Sequence, residues 1–584
     1  MCAKPTQAKS RQMRWAVAFL VALLAGFSFA GNASAEQEVQ LVDDINPGAS
    51  SSDGGSPIEF NGRLYFSARD AEHGYELRRV ANPGTGTELI ADINPGKDGS
   101  HPSSMMVVGN YMYFRANDGT SGAELWRTDG NVTTMVADIR PGSESSSPQW
   151  FEALGDTLIF SADDGVDGRE IWKFDGAVAS QIKDIDLGGD SSSPSGSKRL
   201  GDYVYFRAND GVNGAELWRT DGTVATLWKD IRPGAATPNI TQFHEFKGAL
   251  YFSANDGVNG AELWRTNGVV TELASDIAPG ASDANPSNFE EMAGHLYFRA
   301  SHPAIGYELW RTDGEWPVAM TNLVADINPG VDGSTPSHTT EIDGRIYFDA
   351  DDGVTGHELW SSSGAGAEQV SDINPGEDNS YPYEFHKVGD KIHFVADDGV
   401  RGYEPMTVEV GGAAPFTDLL SGDDSSDPYD HYLFNDELYF FATDGQRGYE
   451  IWKIAEAVPD TKATIRILNK KLKAKSNGVA TLKLKCPSGE ENGPCSGRVK
   501  VKTKKKVRIK GKSRKVTLAS VKYSVGSGKT KVVKLKFSRS VRRLLTAKPK
   551  ARKALVSTKV KDQAGNSRNV KKSMKIVLSG AKRR

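Results

Sequence analysis

One glutamate recurs along this chain at a nearly fixed interval. It stands at Glu76, Glu124, Glu170, Glu216, Glu262, Glu308, Glu358, Glu404 and Glu450, with successive gaps of 48, 46, 46, 46, 46, 50, 46 and 46 residues. The segment around the fourth copy, Ala208–Thr220 (ANDGVNGAELWRT), returns letter for letter at Ala254–Thr266. A period in the forties, repeated nine times, confines the chain to an array of small units that bury a core only by stacking on one another. That array is either a closed propeller or an open solenoid.

Each copy reads as four short strands. The first follows a proline, as in Pro286–Met292, and the second follows a Gly or Asp turn, as in Gly248–Ala254. An Asx-Asp-Gly turn leads to the third, Glu262–Arg265, and another Asp-Gly or Asn-Gly turn to the fourth, Thr271–Ile277. Such turn dipeptides between short alternating runs are hairpin signals, and four antiparallel strands make one propeller blade. Ten residues before each Glu stands Phe, eight before it Ala, and twelve before it Leu, Met, Val or Ile. Period-two spacing places these on one face of the second strand, the face that packs between blades. Two before the Glu is always Gly, as a turn with positive φ requires.

The ends of the array complement each other. Val39–Ile45 reads as a fourth strand with no preceding three, and the last copy, ending near Lys453, has three strands and no fourth. The N-terminal strand is therefore expected to complete the last blade, which removes two sheet edges. Nine blades exceed the usual four to eight, so an open array or two smaller rings stays open as the alternative. The segment Glu216–Thr223 (ELWRTDGT) resembles the signature of bacterial exported ELWxxDGT-repeat proteins over residues 39–455. That resemblance implies a β-propeller-like fold and an exported address, and it carries no catalytic residue to transfer.

After Val458-Pro459 the composition changes. About 40 of the 71 Lys and Arg, but only about 5 of the 75 Asp and Glu, fall in residues 456–584. An acidic body thus precedes a strongly basic tail domain. Alternation such as Gly497–Lys502 (GRVKVK) and Lys531–Phe537 (KVVKLKF) predicts strands with one apolar and one basic face. These strands, with a Cys pair and Asp562–Asn566 before a last strand, resemble small immunoglobulin-like sandwiches of bacterial exported proteins. The expected fold is all-β: a large propeller of nine four-stranded repeats closed by the N-terminal strand, followed by an immunoglobulin-like β-sandwich. The boundaries are 36–455 for the propeller, 456–461 for a linker and 462–584 for the basic domain.

The first 35 residues read as an export signal, with Lys4, Lys9, Arg11 and Arg14 ahead of the apolar run Trp15–Ala30 and a small-residue site Ala33-Ser34-Ala35. Cleavage after Ala35 gives an extracellular or cell-surface protein; an uncleaved anchor is the alternative. Cys486 and Cys495 are the pair that remains, and an even count in an exported chain implies a disulfide.

No Ser-His-Asp order, phosphate loop or HExxH marks a reaction. The repeated Glu reads as a structural acceptor or as part of an acidic hairpin for Ca²⁺, for which Asp163, Asp167 and Glu170 are the candidates. No motif requires a cofactor, and Ca²⁺ is the one ion suggested. Binding groups are expected where the copies differ, because a rigid scaffold carries its variable groups at defined positions. In the first strand, eighteen and twenty residues before the Glu, the copies carry Glu152, Lys198, His244, Glu290, His338, His386 and Asp430. If that strand lines a central channel, these side chains form a polar binding site. The basic domain invites an extracellular glycan or anionic cell-surface polymer; with only Tyr523 and Phe537 as aromatics it has no stacking platform for nucleic acid. Two functions follow. One is an exported non-catalytic binding or adhesion protein; the other is a propeller hydrolase or lyase acting on extracellular polysaccharide in the channel.

Overall fold

The computed structural model describes residues 37–81, 86–409, 412–456, 465–486, 495–509, 512–526, 529–561 and 567–578. The expected leader at 1–35 and nearly all of the expected linker at 456–461 lie outside the described residues. The chain divides into two compact units, residues 1–456 and 457–584.

The first unit is a nine-bladed β-propeller. Eight blades are four-stranded antiparallel sheets of consecutive strands, from Gly55–Ala91 to Tyr383–Pro415. The ninth is built from Tyr429–Phe434, Glu437–Ala442, Glu450–Glu456 and the N-terminal strand Gln37–Asp43. Gln37 lies opposite Glu456 and Asp43 opposite Ile451, so the first strand of the chain closes the ring as its unpaired sequence implied. The first strands of neighbouring blades lie against one another all the way round, the ninth against the first. They form the innermost layer of the ring.

The core between blades comes from the repeated positions. Phe66, Phe114, Phe160, Phe206, Phe252, Phe298, Phe348, Phe394 and Phe440 are at most 2% exposed, and the Ala two residues on is buried in every blade. Each such Phe stabilises the fold by roughly 1.5–3 kcal/mol relative to an exposed ring. The glutamates are buried as well, and their carboxylates accept from the segment that leads to the next blade. Glu124 takes Ile139 N at 2.9 Å, Ser146 N at 2.8 Å and Ser146 Oγ at 2.6 Å. In the ninth blade Glu450 takes Ile45 N at 2.8 Å, which ties the N-terminal segment to the closing blade. The glutamate therefore serves as the internal clasp of each blade, satisfying backbone donors that would otherwise be buried without partners.

The glycine two residues before it allows a close approach. Eight of the nine have φ between 66° and 77°. Gly448 departs from that left-handed backbone, but the same crowding applies: a Cβ there would lie 2.3 Å from Ser51 Cα, as one on Gly260 would lie 1.9 Å from Ser282 O.

Among its described residues the second unit is all-β apart from one α-helix, Arg539–Ala547, and the short 3-10 helix Pro549–Arg552. Eight strands form a single sheet: seven run in the order Thr517–Val525, Cys495–Thr503, Lys553–Lys561, Ser567–Leu578, Lys471–Ala474, Val479–Lys485 and Thr530–Lys536, and the short Arg466–Ile467 also pairs with Val479–Lys485. The two end strands are consecutive in the chain, so the sheet is nearly closed on itself around a core that includes Leu472, Leu482, Val499, Val501, Val556 and Ile576. The expected sandwich is thus met at the level of an all-β unit, in the form of one curled sheet. The expected disulfide joins Cys486 to Cys495.

Candidate functional site in the ring of first strands

Every first strand carries the same irregularity. Its pairing with the second strand slips between the positions twenty-one and eighteen before the Glu, from Gly55/Ile58 in the first blade to Tyr429/Tyr432 in the ninth. The residue twenty before the Glu has φ between 52° and 64° in all nine copies: Ser56, Ser104, Trp150, Gly196, Gln242, Asn288, His338, Glu384 and Asp430. Eight of these are not glycine, and left-handed backbone in such residues is uncommon. A bulge inserts an extra residue and re-aims the side chains beside it. Nine copies of one bulge therefore present a changing set of residues, with only Ser occurring twice, on one backbone frame.

The side chains at these positions divide by direction. The residue nineteen before the Glu turns into the blade, where Phe151, Phe243, Phe289 and Phe385 each pack on the repeated Phe of the second strand, with ring centres 5.4 to 6.0 Å apart. The residue eighteen before it reaches sideways to the next blade. Glu290 Oε1 accepts Glu341 N at 3.1 Å, Tyr432 Oη accepts Glu59 N at 3.1 Å, and His244 Nε2 lies 3.3 Å from Glu291 Oε1. Glu152 sits beside Lys198 of the following blade; burial pushes its carboxyl up, and the Lys198 charge pulls part of the way back. Burial likewise raises Glu290. Asp430, on the bulge, accepts Ser56 N at 3.0 Å across the seam between the ninth and first blades.

The expected channel residues are thus distributed around the ring, each engaged with an adjacent blade. The structure brings together two sets: Glu152 with Lys198, and Glu384 with His386. His386 Nε2 lies 3.3 Å from Glu384 Oε2, and His431 Nδ1 of the ninth blade lies 3.9 Å from the same oxygen. The two imidazoles stack with centres 5.8 Å apart, and His431 stacks in turn on Phe440 at 5.1 Å. The His431 side chain is 3% exposed, and burial lowers it to about 3, so it is neutral at physiological pH. Burial pushes Glu384 up, but the His386 hydrogen bond and the neighbouring imidazoles outweigh it and hold the carboxyl below its ordinary value. His431 escaped the sequence reading, yet a signal was present: it occupies the position that is Phe in four other copies. His338 stands apart from this group of three, its ring 5.9 Å from that of Tyr383, in an open recess of about 370 Å³ shared with Asn288, Phe289, Ser337 and Thr339.

The calcium candidates do not converge. Glu170 is buried on Ile185 N and Ser192, while Asp163 Oδ1 accepts Gly165 N and its other oxygen lies 3.1 Å from Arg140. Among the described residues, no group of three or more His, Cys, Asp or Glu side chains is placed to hold a metal ion. In the second unit an open recess of about 530 Å³ is lined by Arg539, Arg542, Arg543, Thr546 and Ala547. Among the described residues, no helix is long and apolar enough to cross a membrane.

Fold and ring define a nine-bladed β-propeller followed by a basic all-β unit. No family model matches the chain, and no curated protein matches it. Among solved structures it is similar to a puromycin hydrolase, at 12% identity and a TM-score of 0.30, covering 66% of this chain and 59% of that one. It is similar also to the β-propeller domain of the Trilobed protease from Pyrococcus furiosus, at 11% identity and a TM-score of 0.31, covering 55% of this chain and 98% of that one. Prolyl oligopeptidase B from Galerina marginata matches at 11% identity and a TM-score of 0.32, covering 74% of this chain and 55% of that one. The chain spans less than two thirds of the length of the puromycin hydrolase and the oligopeptidase. These likenesses are of fold alone.

Proposed function

We propose that this is an exported, non-catalytic binding or adhesion protein of the ELWxxDGT-repeat type, in which the propeller holds a ligand and the basic, immunoglobulin-like unit contacts an anionic surface. One observation carries the reading: the same bulge, repeated in all nine innermost strands, displays a changing set of side chains, among them Trp150, Gln242, Asn288, His338, Glu384 and Asp430. A constant frame with variable groups suits recognition, because rigid placement reduces the ordering that binding requires. An extracellular glycan fits such a ring of amide, carboxylate, imidazole and indole groups.

The test is a screen of neutral glycans and cell-wall polymers against the full chain, with and without Ca²⁺, repeated with Trp150→Ala, Glu384→Gln and His386→Ala. Binding of a glycan that weakens tenfold or more in at least one variant supports the ring as the site. A ligand whose affinity is indifferent to all three removes the ring from consideration.

A second reading, hydrolysis or lysis of polysaccharide, is favoured by one contact, the carboxylate–imidazole pair Glu384–His386. An acid–base pair within hydrogen-bond reach is what such chemistry needs. Release of reducing ends by the wild type and not by Glu384→Gln would establish it.

A further inference from the structure

We propose that the outward face of the C-terminal sheet binds a linear acidic polysaccharide, recognised by the spacing of its charges. The inference rests on the binding-protein reading above and names what the basic unit would hold.

The strand register places cations directly opposite one another on this face. Lys522 pairs with Arg498, and Arg498 with Lys559, across three adjacent strands. At the other end of Lys553–Lys561 a second row runs on to the next two strands, where Lys553 pairs with Lys575, and Lys575 with Lys471. All six are exposed, while the alternate positions of these strands, such as Val499, Val556 and Ile576, fill the core. Lys500 and Lys571 stand between the two rows on the same face. Like charges directly opposite one another destabilise a sheet, so two rows of three have no folding rationale.

Among the described residues, no acidic side chain of this unit stands beside them. The four carboxylates of residues 457–584 are Asp460, Glu490, Glu491 and Asp562, all outside the described residues. Among the described residues the face therefore carries no acidic group. Within each row the charges repeat across the strands at about 4.8 Å, and Lys500 follows Arg498 along its strand at about 6.8 Å. Both distances are shorter than the Debye length of about 8 Å at physiological salt, so the fields within a row add. A polymer with one carboxylate per sugar ring spaces its charges by a ring length, comparable to the distance between strands. Nucleic acid fits less well: the unit's only aromatics, Tyr523 and Phe537, are 6% and 2% exposed and offer no ring for a base to stack on.

The experiment measures binding of polygalacturonate to the full chain as NaCl is raised from about 50 to about 200 mM, a range over which multi-charge contacts weaken by orders of magnitude. Wild type is compared with the triple variant R498Q/K522Q/K559Q and with K483Q/K534Q/K536Q, which removes equal charge from the strands Val479–Lys485 and Thr530–Lys536. The first triple is expected to weaken binding at least tenfold and to flatten the salt dependence. The second is expected to change it less than threefold. Equal losses in the two triples would reduce the effect to net charge and overturn the proposal, as would no binding by the full chain at the low salt. Tighter binding of oligo(dT) than of polygalacturonate would overturn the choice of polymer. Thermal unfolding of each variant confirms folding. Neutral-glycan binding by the ring is read on the same proteins, so failure of the ring reading and failure of this one are separate results.

Discussion

At the scale of single residues, the buried glutamates make the propeller sensitive to pH. Burial raises Glu216, Glu262, Glu358 and Glu450 to about 7, with backbone donors, from the following segment for the first three and from Ile45 and Asn46 for Glu450, pulling part of the way back. An acid whose folded value lies above its unfolded one, here 4.5, contributes fully below the unfolded value and loses that contribution as pH rises through the folded one. Between the two, the folded state holds the proton and the unfolded state does not, so stability falls as pH rises. His431 and His393, lowered by burial to about 3 and about 4, act in the opposite sense below their unfolded value of 6.5. Comparing wild type with Glu216→Gln cancels the histidines. The stability difference between the two, read from urea unfolding, is expected to shrink from about pH 5 to about pH 8. A difference that widens would show the carboxylate to be the better-held form. A structural acceptor role for these glutamates was legible from their presence in every copy; the identity of their donors was not, because those donors lie fifteen or more residues further on, or for Glu450 at the other end of the chain.

The blade is the element whose construction the sequence shows most fully and whose detail it hides. Strand number, turn positions and the Phe and Ala of the inter-blade face all followed from periodicity. The bulge of the first strand did not. Alternation treats the positions eighteen and twenty before the Glu as one face, but the extra residue sends the first toward the next blade and puts the second into left-handed backbone. No glycine marks it except Gly196, so composition gives no sign. Where glycine is required by close approach, the effect of substitution is predictable. Gly260→Ala, whose Cβ would meet Ser282 O, is expected to destabilise by well over about 2 kcal/mol, combining backbone strain with displacement of the following loop. Gly248→Ala, with φ 72° and nothing within 4 Å of its Cβ, is expected to lose only about 1 kcal/mol from strain. Equal losses in chemical denaturation would argue against the close approach.

At the scale of the whole molecule, closure and division into two units make separate predictions. Gln40 pairs with Lys453 in the strand that seals the ring. Gln40→Pro removes a ladder hydrogen bond and should lower stability by about 3 kcal/mol, the usual effect of proline inside regular structure. It should also broaden the unfolding transition, since an opened ring can fray blade by blade. A sharp transition at the wild-type midpoint would place closure outside the folding unit. Reduction of Cys486–Cys495 should lower the C-terminal transition by about 2–3 kcal/mol and leave the propeller transition where it was. A coupled shift of both transitions would contradict two independent units.

The sequence by itself determined the nine blades, the strand that closes them, the disulfide and the reversal of charge after residue 456. Each is a local pattern repeated or counted along the chain, and hydrophobic period, turn residues and charge act over a few residues at a time. Only the tertiary structure decided which variable residues meet. Glu384, His386 and His431 come from two copies of the repeat and touch because the ring sets neighbouring first strands side by side. The cation rows of the second unit likewise depend on strand order and register, which place Lys471 beside Lys575 across more than a hundred residues of chain. Such meetings depend on long-range pairing, and no short-range pattern in the sequence encodes them.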